Sequence, residues 1–140
     1  MAAYNKFQQF TKDLIDGVHD FDGHTFKILL TNSSPVNTNT VKANLTEISA
    51  GNGYTAGGNT VTMTTSTSSG TAKVVMGDTT FTASGGTIGP FRYAVLCNDS
   101  PSSPADPLIA WWDYGASITL ADGEVFTVDA DGTTGILTIA

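Results

Sequence analysis

Phe91-Arg92-Tyr93-Ala94-Val95-Leu96-Cys97-Asn98 and Leu108-Ile109-Ala110-Trp111-Trp112-Asp113-Tyr114 are the two runs that decide the fold. Both are rich in the aromatic and β-branched residues that suit a pleated, half-buried chain. Successive side chains of a strand point to opposite faces. Phe91, Tyr93, Val95 and Cys97 therefore share one face, and Leu108, Ala110, Trp112 and Tyr114 share another, with Trp111 opposite Trp112. A strand with Trp on both faces is central in its sheet, or has one face in the core and one in an interface. Trp111 and Trp112 are accordingly candidate interface residues. Between the runs lies Asp99 to Pro107, with prolines at 101, 104 and 107. Proline cannot extend a sheet ladder, so this segment is a loop.

The same pattern extends outward. Further strands are predicted at Thr60–Ser66, Ala72–Met76, Thr79–Ala83, Ser117–Leu120, Val125–Asp129 and Ile136–Ile139. Ser69-Gly70, Gly77-Asp78, Gly85-Gly86, Gly115, Asp122-Gly123 and Asp131-Gly132 supply the turns. Towards the N-terminus, Phe26, Ile28 and Leu30 alternate within His24–Asn32 and make one more strand. Strands so spaced, without interleaved helices, predict a mainly β fold. The expected architecture is an antiparallel β-sandwich or jelly-roll-like domain, with one N-terminal amphipathic helix. The 140 residues are the size of one domain. The helix falls at about 4–18 and the β-sandwich at about 24–140.

The helix is read from Phe7, Phe10, Leu14, Ile15 and Val18, which fall on one face, with Gln8, Gln9, Lys12, Asp13 and Asp16 on the other. Asn5 and Gln8 have the spacing of a capping box, and Gly17 or the Asp20–Gly23 turn ends it. The stripe packs on the chain's own sheet or, in a sharper reading, in a groove of a neighbouring subunit, with Phe7 and Phe10 as anchors. Ser33 to Asn44 reads as a long loop. Ala50-Gly51-Asn52-Gly53-Tyr54-Thr55-Ala56-Gly57-Gly58 is a glycine-rich loop without the Gly-Lys-Ser/Thr ending that cradles phosphate. It is a surface loop in this reading, with Tyr54 an exposed contact residue.

Composition narrows the function. Charged residues are only 14% of the chain and the formal net charge is −7. Six scattered Lys and Arg give no basic footprint for nucleic acid or for an acidic membrane surface. No run approaches the roughly 20 apolar residues of a membrane helix. The N-terminus lacks a signal-peptide pattern, and the chain reads as soluble. A surface of Thr, Ser, Asn and Gly packs on neighbours with few charges to desolvate.

Catalytic chemistry is not in view. Cys97 is the only cysteine and lies in an apolar run, which reads as an inert buried thiol. His19 and His24 flank Asp20 and Asp22 without a standard metal spacing, which reads as a surface turn. Asp129-Ala130-Asp131-Gly132 lacks the further ligands of a calcium loop. The expectation is a non-enzyme with no cofactor and no metal.

Several motifs together resemble small virion proteins of tailed bacteriophages. They are Gly89-Pro90-Phe91-Arg92-Tyr93-Ala94-Val95-Leu96-Cys97-Asn98-Asp99, then Asp106-Pro107-Leu108-Ile109-Ala110-Trp111-Trp112-Asp113-Tyr114-Gly115, then Leu120-Ala121-Asp122-Gly123-Glu124. Leu30-Thr31-Asn32 and the glycine-rich loop belong with them. Within that group the chain is most similar to capsid decoration, or cement, proteins. The resemblance implies a β-sandwich bound to the outside of the phage head, contacting the major capsid protein and self-associating as a homotrimer. It implies assembly in the host cytoplasm and no catalytic residues. The alternative within the same group is a tail or fibre component acting as a receptor- or carbohydrate-binding module.

Overall fold

The computed structural model describes residues 2–140. In chain order the elements are β1 (Tyr4–Lys6), α1 (Gln8–Ile15), β2 (Phe26–Thr31), a 3-10 turn (Lys42–Asn44), β3 (Asn59–Val61), β4 (Met63–Ser68), β5 (Thr71–Met76), β6 (Thr79–Thr82), β7 (Ile88–Asn98), β8 (Leu108–Leu120), β9 (Val125–Val128) and β10 (Leu137–Ile139). The protein is mainly β, with antiparallel sheets and, among the described residues, one α-helix. A five-stranded sheet runs β1-β8-β7-β2-β3, a three-stranded sheet β10-β5-β4, and β6 pairs with β9.

The long β7–β8 pair is the frame, as its apolar runs require. The main core joins Phe26, Ile28, Leu30, Phe91 and Leu96 of the large sheet to Val74 and Met76 of the second and Phe81 and Val128 of the third. On the other face of the large sheet, Leu29, Val95, Cys97 and Leu108 are buried beneath Phe7 and Leu45. Both faces are therefore covered, which is why these strands read as continuous hydrophobic runs.

Strict alternation fails at three register shifts between β7 and β8. Phe91 joins the main core while Val95 and Cys97 join the second cluster, and Leu108 separates from Ala110 in the same way. Each extra residue in a ladder sends the side chains beyond it to the opposite face. Gly115, read as a turn, is instead inside β8 at φ +99°. The predicted strand Thr60–Ser66 divides at Thr62. Asn59–Val61 belongs to the large sheet and Met63–Ser68 to the three-stranded one. At Ser69-Gly70 the two positive φ angles, 51° and 80°, make the expected tight hairpin.

The N-terminus is the main correction. The helix spans 8–15, not 4–18, because Tyr4–Lys6 pairs with Ala110–Trp112 and supplies the ladder bonds that this edge of β8 would otherwise leave unmade. The capping box at Asn5 does not form. Phe7, in extended conformation, precedes the helix, and its N–H donates to the Ile109 carbonyl at 3.1 Å. The inward face is then Phe10, Asp13 and Leu14, while Ile15 is 81% exposed. Asp16 and Gly17 close the helix, as the sequence suggests.

Candidate functional site

A cleft of about 590 Å³ lies between the large sheet and the β9–β10 segment. Its floor is apolar, with Met76, Phe91 and Ala94. Its walls are aromatic and draw on three strands, β1, β8 and β9. Tyr4 stands directly across the ladder from Trp112, with ring centroids 5.8 Å apart and planes at 68°. Phe126 of β9 meets Phe91 at 5.0 Å and Tyr114 at 5.7 Å, both edge to face.

Tyr114 reaches the cleft through a bulge. Between the pairs Tyr93–Asp113 and Phe91–Ile118, four residues of β8 (Tyr114 to Ser117) face one residue of β7 (Arg92). Bulges re-aim side chains, and Tyr114 is left 57% exposed against Phe126. Asp113 holds the base of the bulge. It accepts from the Gly115 N–H at 2.8 Å and from the Arg92 guanidinium at 2.7 and 3.0 Å. This forked pair holds the Asp113 carboxyl below its usual range and raises Arg92. Arg92 also lies over the Tyr93 ring, 5.5 Å from its centroid. Burial pushes the Tyr4 phenol up to about 12. Asp129 and Asp131 stand at the mouth. Asp131 also orders its own turn by accepting from the Thr133 and Thr134 N–H groups.

Of the residues expected at an interface, only Trp112 lines this cleft. Trp111 is on the opposite face, tilted against Phe7 at 4.6 Å beside a shallow recess. Phe7 and Phe10 are fully buried within the chain, on opposite sides of the large sheet. Tyr54 is not an exposed contact but 3% exposed. Its hydroxyl accepts from the Leu30 N–H at 3.0 Å and donates to Glu47, which also takes the Gly57 N–H. Tyr54→Phe strands that buried amide and removes one of the two bonds to Glu47, and is expected to cost roughly 1–3 kcal/mol. A urea melt showing the parent's midpoint would exclude this clamp. The sequence alone does not single out Tyr4, Arg92, Tyr114 or Phe126. Alternation flags Tyr114, but nothing local brings Tyr4 or Phe126 to it.

His24 closes the Asp20–His24 turn, whose Asp20, Asp22 and Gly23 are exposed as expected, but His19 is buried. Asn98 is fully buried, and its amide nitrogen meets Nδ1 of His19 at 3.1 Å and Nδ1 of His24 at 2.9 Å. The Ser100 N–H donates to the Asn98 Oδ1, so the amide nitrogen is the group turned towards both rings. His24 Nδ1 also faces the Asp20 N–H. Around His19 stand Phe10 and Asp13 of α1, Phe21, and Phe26 of β2. Burial pushes His19 down to about 4, with Asp13 opposing and His24 assisting. The unfolded chain then binds the extra proton between about pH 6.5 and 4, so stability is fully present above that window and falls on acidification through it. We expect a loss on the order of 2 kcal/mol, discounted for solvent screening. Asp113 and Asp131, lowered by their partners, lose their contributions only below 3.8. Thermal melts at pH 7, 5.5 and 4.5 test this. A His19→Gln variant with the same pH slope as the parent would exclude His19 as the cause.

Burial pushes the Cys97 thiol up to about 12, so it is no thiolate at neutral pH. Among the described residues, no three His, Cys, Asp or Glu side chains group to hold a metal ion, and no helix is long and apolar enough to cross a membrane. No protein-family model matches the chain, and neither does any curated protein or solved structure.

Proposed function

We propose that this chain is a head decoration protein of a tailed bacteriophage, a non-catalytic domain that binds the outer surface of the assembled capsid. The observation that carries this reading is the open aromatic cleft on a surface rich in Thr, Ser and Gly strands and turns. Half-exposed Tyr and Trp around an apolar floor are what protein contact sites bury. The motif resemblance points the same way. In this reading residues 1–140 form a single domain, the five-stranded sheet faces the smaller sheets as a β-sandwich, and the protein acts as a homotrimer on the major capsid protein. Binding only the assembled lattice stabilises it by mass action, and many symmetric copies make weak contacts sufficient.

The test is the copy number in purified virions together with capsid survival on heating. A simple symmetric ratio to the major capsid protein, and greater heat resistance with the protein bound, are expected. Absence from virions, or equal capsid stability with and without it, overturns the reading. A second reading, a receptor- or carbohydrate-binding module on a tail or fibre, is favoured by Tyr114 and Trp112 lying beside Asp129 at one cleft, since aromatic faces stack on sugars and carboxylates accept from their hydroxyls. Glycan-array binding with only a few copies per virion would select it.

A further inference from the structure

We infer that the aromatic cleft receives a cationic side chain, an arginine or lysine presented by the partner protein. The inference deepens the assembly reading and rests on it for the identity of that partner. Three observations carry it.

The first is the shape of the walls. Tyr4 and Trp112 meet at 68°, and Tyr114 and Phe126 at 78°. Rings so crossed present faces from different directions rather than one flat platform. Such a box suits a compact cation, which is drawn to the negative face of each ring. A sugar ring is better served by a single flat face.

The second is charge. Asp129 and Asp131 stand at the mouth, and the cation lining the cleft, Arg92, is already held by both oxygens of Asp113. Asp129 takes part in none of the ion pairs among the described residues. The Lys73 ammonium, bonded to the Thr133 carbonyl, offsets part of the Asp131 charge, which leaves Asp129 as the carboxylate the cleft offers, in a chain of net charge −7. A partner with a basic projection would meet complementary potential there.

The third is a precedent within the cleft. Arg92 rests over the Tyr93 ring at 5.5 Å while a carboxylate fixes its fork. An incoming guanidinium over Trp112 or Tyr114, steered by Asp129, would repeat that arrangement with groups already in place. A cleft of about 590 Å³ is larger than one side chain needs, which leaves room for the backbone on either side of it.

The experiment is an NMR titration of the full-length ¹⁵N-labelled protein. The probes are an acetylated and amidated Gly-Ser-Arg-Ser-Gly peptide, its citrulline counterpart, which is neutral and of the same shape, and methyl glucoside. The Trp112 indole signal is assigned by its loss in Trp112→Phe. The arginine peptide is expected to shift this signal saturably, with affinity falling as salt rises. Asp129→Asn and Tyr114→Ala, both at exposed positions, should each weaken binding severalfold, up to about tenfold. Equal shifts from the citrulline peptide would overturn the inference in favour of an apolar contact. Shifts from methyl glucoside alone would overturn it in favour of a sugar site, and no shift from any probe would overturn it outright. Capsid binding by the same sample separates the two proposals. A protein that binds capsids but not the arginine peptide keeps the decoration role and loses this inference. One that binds the peptide but not capsids does the reverse.

Discussion

Gly58→Ala is expected to destabilise the protein by at least about 3 kcal/mol, through collision with main chain. Gly58 has φ +83° and turns the glycine-rich loop into β3. A Cβ there would lie 2.5 Å from the Ile28 carbonyl carbon and 2.7 Å from the Leu29 Cα, and would overlap the Ile28 carbonyl oxygen. These atoms belong to β2, which is hydrogen-bonded on both sides by β3 and β7, so no side chain can rotate to make room. Ile28 pairs with Asn59, so any retreat of the loop would also break the β2–β3 ladder. The smaller entropy of an alanine-containing unfolded chain offsets only about 0.4–1 kcal/mol. Gly57→Ala is the control. Its φ is +90°, but a Cβ there meets only the ends of the Lys42 and Lys27 side chains, at 3.8 and 4.0 Å. That variant should cost about 1–2 kcal/mol, the strain of the left-handed conformation alone. Equal urea midpoints for the two variants would show that close approach to β2 is not what requires glycine.

Phe10→Asp is expected to remove more than about 5 kcal/mol, which is comparable with the entire stability of many domains. Phe10 is 1% exposed and packs between His19, at 5.3 Å, and Phe21, at 6.4 Å. Deleting a buried Phe side chain costs about 3–5 kcal/mol. The new carboxylate would also lack water and a cationic partner. Asp13, one turn along, is itself buried, with one oxygen bonded to Gln9 and the other without a partner, so a second acid would add like-charge repulsion. Phe10→Leu should fold with a loss of about 1.5 kcal/mol. If Phe10→Asp melts cooperatively at the parent temperature, α1 does not hold the core together and the packing of its inward face is irrelevant to stability.

The sequence makes the β elements legible because turn chemistry is local. Ser69-Gly70 and Asp122-Gly123 punctuate the strands where Gly and short polar side chains are needed. It misses Tyr4–Lys6, because the reason for that strand is the edge of β8 more than a hundred residues away. A helical period continuing through Phe7 hides it. The face assignments fail for a related reason. Bulges between β7 and β8 change which side chains point inward, and bulges leave little trace in a hydrophobic pattern. Tyr54 reads as exposed because glycine surrounds it, yet those glycines let the loop come close enough for its hydroxyl to reach the Leu30 amide. Of the candidate site, Trp112 is legible from the strand that carries it. The cleft is not, because it forms where three pieces of chain meet that share no local signal.

The four-residue departure of β8 from its partner also bears on how the molecule can change over generations. Tyr114 to Ser117 carry no pairing obligation to β7, while the ladder on either side is held by Tyr93–Asp113 and Phe91–Ile118. Lengthening or recomposing this segment would leave the frame's hydrogen bonds intact and alter mainly what the cleft presents. Lineages that meet new partner surfaces have here a place to vary that is insulated from the cost of refolding, as exposed loop tips generally are.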